Sequence, residues 1–129
     1  MPLIRLDVIE GRSAAEITTL LDAVHDAVVK AFEVPDRDRY QVVSSHPAQE
    51  MVVHDTGLGI ERTRDVVLIQ VTSRPRTTVQ KEVFYRTVVE LLDTNCGISA
   101  NDVMVCITEN SDADWSFGNG EAHFLTGAL

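Results

Sequence analysis

Residues 66–80 read VVLIQVTSRPRTTVQ, and this stretch sets the architecture. From Val66 to Ser73 the run is apolar almost without alternation, the pattern of a strand covered on both faces. The RPR at 74–76 interrupts it, because a proline pushes the preceding residue out of the helical region and has no amide to donate. Thr77 with Gln80 three residues later then offers a capping box. Val79, Val83, Val88, Leu91 and Leu92 follow at helical spacing, predicting a helix over about 77–94 with Gly97 as its stop. DVMVCITE at 102–109 reads as the partner strand.

The same plan occupies the start of the chain. PLIRLDV at 2–8 is a short apolar strand, EGR breaks it, and Ser13 with Glu16 forms a second capping box. Ile17, Leu20, Leu21, Val24, Val28 and Phe32 make an apolar stripe over about 14–33, which Pro35 ends, and RYQVVS at 39–44 is the next strand. The two units start about 65 residues apart, repeating the pattern rather than the sequence. Strand, helix, strand, twice over, predicts two tandem crossover units of α/β (α+β) class. Each has a parallel strand pair, and the helices cover one sheet face. Subunit neighbours are the economical cover for the other face. Between the units, residues 45–65 carry HDTGLG and read as a loop or small hairpin; residues 110–129 form a polar, glycine-rich tail containing Trp115, Phe117 and Phe124.

Composition narrows the function classes. A chain of 129 residues is one domain, spanning 1–129. Its net charge of −9 argues against a nucleic-acid partner, which needs a basic footprint. No apolar run approaches the roughly 18 residues that span a bilayer. No basic segment leads into an apolar one near the start, so a secretory leader is not expected. Cys96 and Cys106 have no metal-like spacing and read as reduced, buried thiols of a cytoplasmic protein.

Against that acidic background, Arg74 and Arg76 stand out. Side chains two apart in an extended stretch share a face. Two guanidiniums there either hold one carboxylate in their planar forks or lie solvated in a loop. Asp38 lies between Arg37 and Arg39, as a surface ion pair or as a base facing a pocket. Pro2 is either a strand-edge residue that needs no amide hydrogen or, if Met1 is removed, a stiff secondary amine. His25, His46, His54 and His123 form no metal-site spacing. GLG at 57–59 and GNG at 118–120 read as turns, since neither opens a helix behind a strand.

Taken together, PLIRLDVIEGR (2–12), FEVPDRDRYQVVS (32–44), DTGLG (55–59), SRPR (73–76) and ENSDADWSFGNGEAHFLTG (109–127) resemble the malonate semialdehyde decarboxylase family of the tautomerase superfamily. The last stretch and SRPR are the specific ones. The resemblance implies a tautomerase fold with a mixed four-stranded sheet, a homotrimer, and no metal or organic cofactor. It also implies a catalytic amino-terminal proline at Pro2, with Arg74, Arg76 and Asp38 as further catalytic residues. Trp115, Phe117, Phe124 and Leu129 would form an apolar, substrate-binding wall. The implied substrate is a small carboxylate, a 3-oxo acid undergoing decarboxylation, with hydratase activity on unsaturated 2-oxo acids as a side reaction. Keto–enol tautomerisation is the sibling activity, and a non-enzymatic interaction trimer is the reading of a different class.

Overall fold

The computed structural model of the protein describes residues 2–129. The question of whether Met1 is retained lies outside the described residues. Strand β1 (Leu3–Ile9) leads into helix α1 (Ala14–Phe32) and strand β2 (Tyr40–His46). Strand β3 (Val67–Ser73), helix α2 (Thr78–Cys96) and strand β4 (Val103–Glu109) repeat the unit, and a short helix α3 (His123–Thr126) lies in the tail. The sheet order is β2-β1-β3-β4. Within each unit the strands are parallel, and the two units meet antiparallel at β1 and β3. The expected mixed four-stranded sheet is present.

Local chemistry explains where each helix begins and ends. The Ser13 hydroxyl accepts the Glu16 amide while the Glu16 carboxylate accepts the Ser13 amide, and Thr77 and Gln80 do the same for α2. Gly97, left-handed at φ 66°, closes α2 as expected. Pro35 does not itself end α1. Glu33 does, left-handed at φ 55° with its amide on the Val29 carbonyl, and Pro35 only prevents the helix from resuming. The buried row of α2 is Phe84, Val88 and Leu92 at every fourth position. Its first-turn continuation is Gln80, which the capping box uses, so Val79 falls outside the stripe and is 68% exposed. The 45–65 segment forms no hairpin. It holds a 3₁₀ turn at Ala48–Glu50 and a loop in which the Asp55 carboxylate accepts the amides of Leu58, Gly59 and Ile60. The buried Asp102 carboxylate ties the end of that loop down by accepting the Thr63 amide at 2.7 Å.

One core lies between the sheet and the helices. Ile4, Leu6 and Val8 of β1 and Val67, Ile69 and Val71 of β3 face Leu20, Val24, Val28 and Phe32 of α1 and the buried row of α2. At its centre Phe32 and Phe84 stack with centroids 5.2 Å apart. Phe84 is fully buried, so Phe84→Ala is expected to destabilise the fold by about 3–5 kcal/mol, read as a lowered urea midpoint.

The other sheet face is open. It carries Leu3, Arg5 and Asp7 of β1, in register with Tyr40, Val42 and Ser44 of β2 and with Thr72, Gln70 and Leu68 of β3. Neither thiol is fully buried: Cys106 is exposed on this face, and Cys96 is half-buried at the end of α2. No helix among the described residues is long and apolar enough to cross a membrane.

Candidate active site

The antiparallel relation of the two units has a positional consequence. The starts of β1 and β2 and the ends of β3 and β4 all fall on one edge of the sheet. Pro2, Asp38, Arg74, Arg76 and the tail therefore arrive at the same place from four separate parts of the chain. Pro2 is buried and lies one step before Leu3, which pairs with Thr72 of β3 and Tyr40 of β2. Asp38 is only 7% exposed, and its Oδ2 has no hydrogen-bond partner among the described residues. The surface ion-pair reading of Asp38 does not hold. Arg39 turns instead to Asp22, at 2.7 Å, leaving the Asp38 side chain directed inward.

The two arginines are held differently. Arg74 donates through Nη1 to Asp112 at 3.0 Å, and its guanidinium stacks 3.9 Å from the centroid of Phe124. Its Nε is buried without a partner among the described residues. The edge of the guanidinium that can grip a carboxylate side-on therefore retains an unused donor. Arg76 donates from Nε to the Ser73 hydroxyl at 3.0 Å and from Nη1 to the Phe32 carbonyl at 3.3 Å. Burial, and after it the charge of Arg74, lowers the proton affinity of Arg76, so the two cations are close enough to sense each other. They do so without the shared strand face expected from their spacing, because β3 ends at Ser73 and the chain turns into α2.

The end of β4 braces this turn. Glu109 accepts the Arg76 amide at 2.8 Å and pairs with Lys81 at 3.3 Å. The hydrogen bond from Arg76, followed by that from Lys81, holds the Glu109 carboxyl below its usual range. The next residue, Asn110, accepts the Trp115 indole N–H at 2.7 Å. Trp115 stacks on Phe117 at 5.5 Å, Phe117 meets Phe124 edge-on at 5.5 Å, and Tyr40 tilts against Phe117 at the same distance. Trp115, Phe117 and Phe124 thus form one aromatic cluster beside Arg74. Leu129 is 59% exposed at the end of the tail, and this protomer does not enclose it.

Family models described as "Tautomerase enzyme" match residues 38–118 and 2–60 of the chain. The chain belongs to the tautomerase family. A probable tautomerase of Bacillus subtilis, YrdN, is 52% identical over the full length of both chains. Among solved structures, a malonate semialdehyde decarboxylase, studied as a basis for decarboxylase and hydratase activities, superimposes with a TM-score of 0.97. It is 55% identical over 98% of each chain. A second malonate semialdehyde decarboxylase, inhibited by 3-bromopropiolate, is 39% identical over 98% of this chain and 97% of its own, with a TM-score of 0.94. Within the superfamily, the chain is similar in sequence and fold to these malonate semialdehyde decarboxylases.

Several residues of this edge fall within the stretches that carry the resemblance but have no role of their own in it. Ser73, Glu109, Asn110 and Asp112 each make a contact that fixes an arginine or the tryptophan. In the sequence Glu109 is an ordinary strand-end carboxylate and Asp112 one acid among several in NSDAD. The pairs that give them meaning are 33 and 38 residues apart along the chain, so no local spacing rule reaches them. The cleft of about 290 Å³ between α1 and α2 lies at the far edge, lined by Arg12, Glu16, Thr19, Asn95 and Cys96, away from these groups.

Proposed function

We propose that this protein is a cofactor-independent decarboxylase of a short 3-oxo acid, malonate semialdehyde being the type substrate, releasing acetaldehyde and carbon dioxide. The supporting observation is the meeting, at one sheet edge, of Pro2 with two buried polar atoms that lack partners among the described residues, Asp38 Oδ2 and Arg74 Nε. Leaving buried polar atoms unsatisfied costs stability, and a substrate carboxylate on Arg74 with the Pro2 ammonium on Asp38 restores it. The 55% and 39% identity to malonate semialdehyde decarboxylases supports the choice of substrate class.

In this reading Met1 is removed, and Pro2 is a secondary amine. A free α-amine titrates at about 7.7–8.0, and a secondary amine is more basic, so the resting form is cationic. The substrate carboxylate binds the open edge of Arg74 and the guanidinium of Arg76. The Pro2 ammonium donates its proton toward the aldehyde oxygen. As the bond between the carboxylate carbon and C2 breaks, its electron pair passes into the C2–C3 bond and the charge moves to that oxygen, where the ammonium meets it. Carbon dioxide leaves, and the enol becomes acetaldehyde as C2 takes up a proton from water and the oxygen returns its proton to Pro2. Iminium formation between Pro2 and the aldehyde provides the same electron sink covalently. The arginine clamp stabilises bound substrate and transition state alike, so the acceleration has to come mainly from Pro2. Trp115, Phe117 and Phe124 keep water from the departing, uncharged carbon dioxide.

The functional unit is a homotrimer. The open sheet face supports this reading, since Tyr40, Val42 and Met104 are 39%, 43% and 40% exposed there and a neighbouring protomer would cover them. Purified protein supplied with malonate semialdehyde is expected to release carbon dioxide well above the spontaneous rate. Release at the background rate refutes the assignment.

A second reading, hydration or tautomerisation of 2-oxo acids, is favoured by the oxygen of Asp38 that has no partner among the described residues, an acceptor available to a water, and by the probable-tautomerase relative. Asp38→Asn separates the two. Hydration of an unsaturated 2-oxo acid should fall by about 100-fold. Decarboxylation should fall by less than about tenfold, because Asp38 only orients Pro2 in that reaction. Equal losses would make Asp38 a shared positioning residue.

A further inference from the structure

His123 is the residue of this edge that neither the sequence reading nor the proposed chemistry uses. Its Nδ1 accepts the backbone amide of Phe117 at 3.1 Å, and its ring lies 5.8 Å from the Phe117 ring. The hydrogen bond closes the loop 117–123. That loop turns through three consecutive residues of positive φ: Gly118 at 144°, Asn119 at 59° and Gly120 at 70°. A non-glycine residue held left-handed persists only where surrounding structure fixes it; here the Glu121 amide on the Gly118 carbonyl at 3.3 Å spans Asn119, and the His123 bond ties the turn to Phe117. Phe117, the residue it holds, is the hub that touches Trp115, Phe124 and Tyr40.

We infer that His123 is a positioning residue for the substrate wall, acting in its neutral form as a clamp that protonation opens. An Nδ1 that accepts an amide hydrogen carries no proton of its own. In the cation, Nδ1–H would point at the Phe117 N–H, donor against donor, and the loop would lose its tie. The charged and titratable groups around His123 are Glu121, whose carboxylate lies 3.8 Å from Nε2, and, across Phe117 and Phe124, the Tyr40 hydroxyl and the Arg74 guanidinium. The clamp is closed while the ring is neutral and opens when it is protonated.

The effect on catalysis rests on the decarboxylase reading, but the clamp itself can be tested without it. Trp115 is the only tryptophan of the chain and stacks on Phe117, so its fluorescence reports the wall directly. Wild-type protein is expected to show a change in Trp115 emission between about pH 7.5 and 5.5, the span of histidine titration. His123→Asn, which keeps an acceptor near the position of Nδ1 but does not titrate, should lose that transition and hold the neutral-pH spectrum. His123→Leu, which has no acceptor, should hold the low-pH spectrum throughout. With substrate at pH 7.5, His123→Leu should raise KM about tenfold with kcat changed far less, and His123→Asn should stay within about twofold of wild type. Far-UV circular dichroism establishes that each variant is folded. A His123→Asn protein that titrates as wild type does, or a folded His123→Leu protein with wild-type emission, overturns the inference. A clamp seen in fluorescence but without turnover would sink the decarboxylase reading alone.

Discussion

Pro2→Ala is expected to lower kcat for carbon dioxide release by about 100-fold or more while leaving KM within a few-fold of wild type. The split follows from where each group acts. The carboxylate clamp, which sets affinity, is built on Arg74 and Arg76 and is untouched. The lost ring removes a rigid, more basic secondary amine, so the proton donor at the aldehyde oxygen is less fixed in position and a smaller fraction of it is protonated at neutral pH. Because charge on that oxygen develops only in the transition state, the loss falls on kcat. Pro2 also begins the strand without donating to the ladder, so the variant should fold, and circular dichroism with the urea midpoint will check it. Near-wild-type kcat in the folded variant would remove Pro2 from the mechanism. Intact-mass measurement of the wild-type chain belongs beside this experiment, since a retained methionine would make the Pro2 nitrogen an amide.

Replacing Arg74 with alanine should produce the opposite split, with kcat/KM falling by about 100- to 1000-fold, dominated by KM. Arg74 presents its guanidinium by stacking on Phe124 and bonding Asp112, with Nε left over. Arg74→Lys should rescue little of the loss, since an ammonium can neither offer a two-donor edge nor lie flat on the ring in the same way. Arg76→Ala should also raise KM and should cost stability as well, because it abandons the Ser73 hydroxyl and the Phe32 carbonyl at the end of α1. Inhibition constants for a non-reacting carboxylate analogue of the substrate and for its methyl ester test the assignment. If Arg74 binds the carboxylate, wild type should discriminate against the ester and Arg74→Ala should not. Equal discrimination by both would place the carboxylate elsewhere.

The fold was largely legible because its determinants are local. Two capping boxes, a left-handed glycine stop and two apolar helical rows are short-range patterns, and each appears in the structure at or within a few residues of its expected place. The misreadings are also local in origin. Val79 matched the helical period but sits in a first turn whose inward position is Gln80, and Pro35 marked a stop that Glu33 had already made. Cys106, expected to be a buried reduced thiol, lies on the open sheet face instead.

Sequence alone determined the two repeated units, their helices and the residue types available for chemistry: a proline behind Met1, an arginine pair after a strand, an aspartate before one and aromatics in the tail. These follow from periodicity, from proline's missing amide and from side-chain identity, which act over a few residues. Only the tertiary structure decided that those groups share one edge, because that depends on the antiparallel meeting of β1 and β3. It also decided their states: Asp38 inward rather than paired with a flanking arginine, Arg74 with a donor to spare, Arg76 braced by Glu109, and Phe117 held by His123. Those states rest on contacts between residues distant in the chain, and burial and hydrogen-bond satisfaction are properties of the folded neighbourhood rather than of any single stretch.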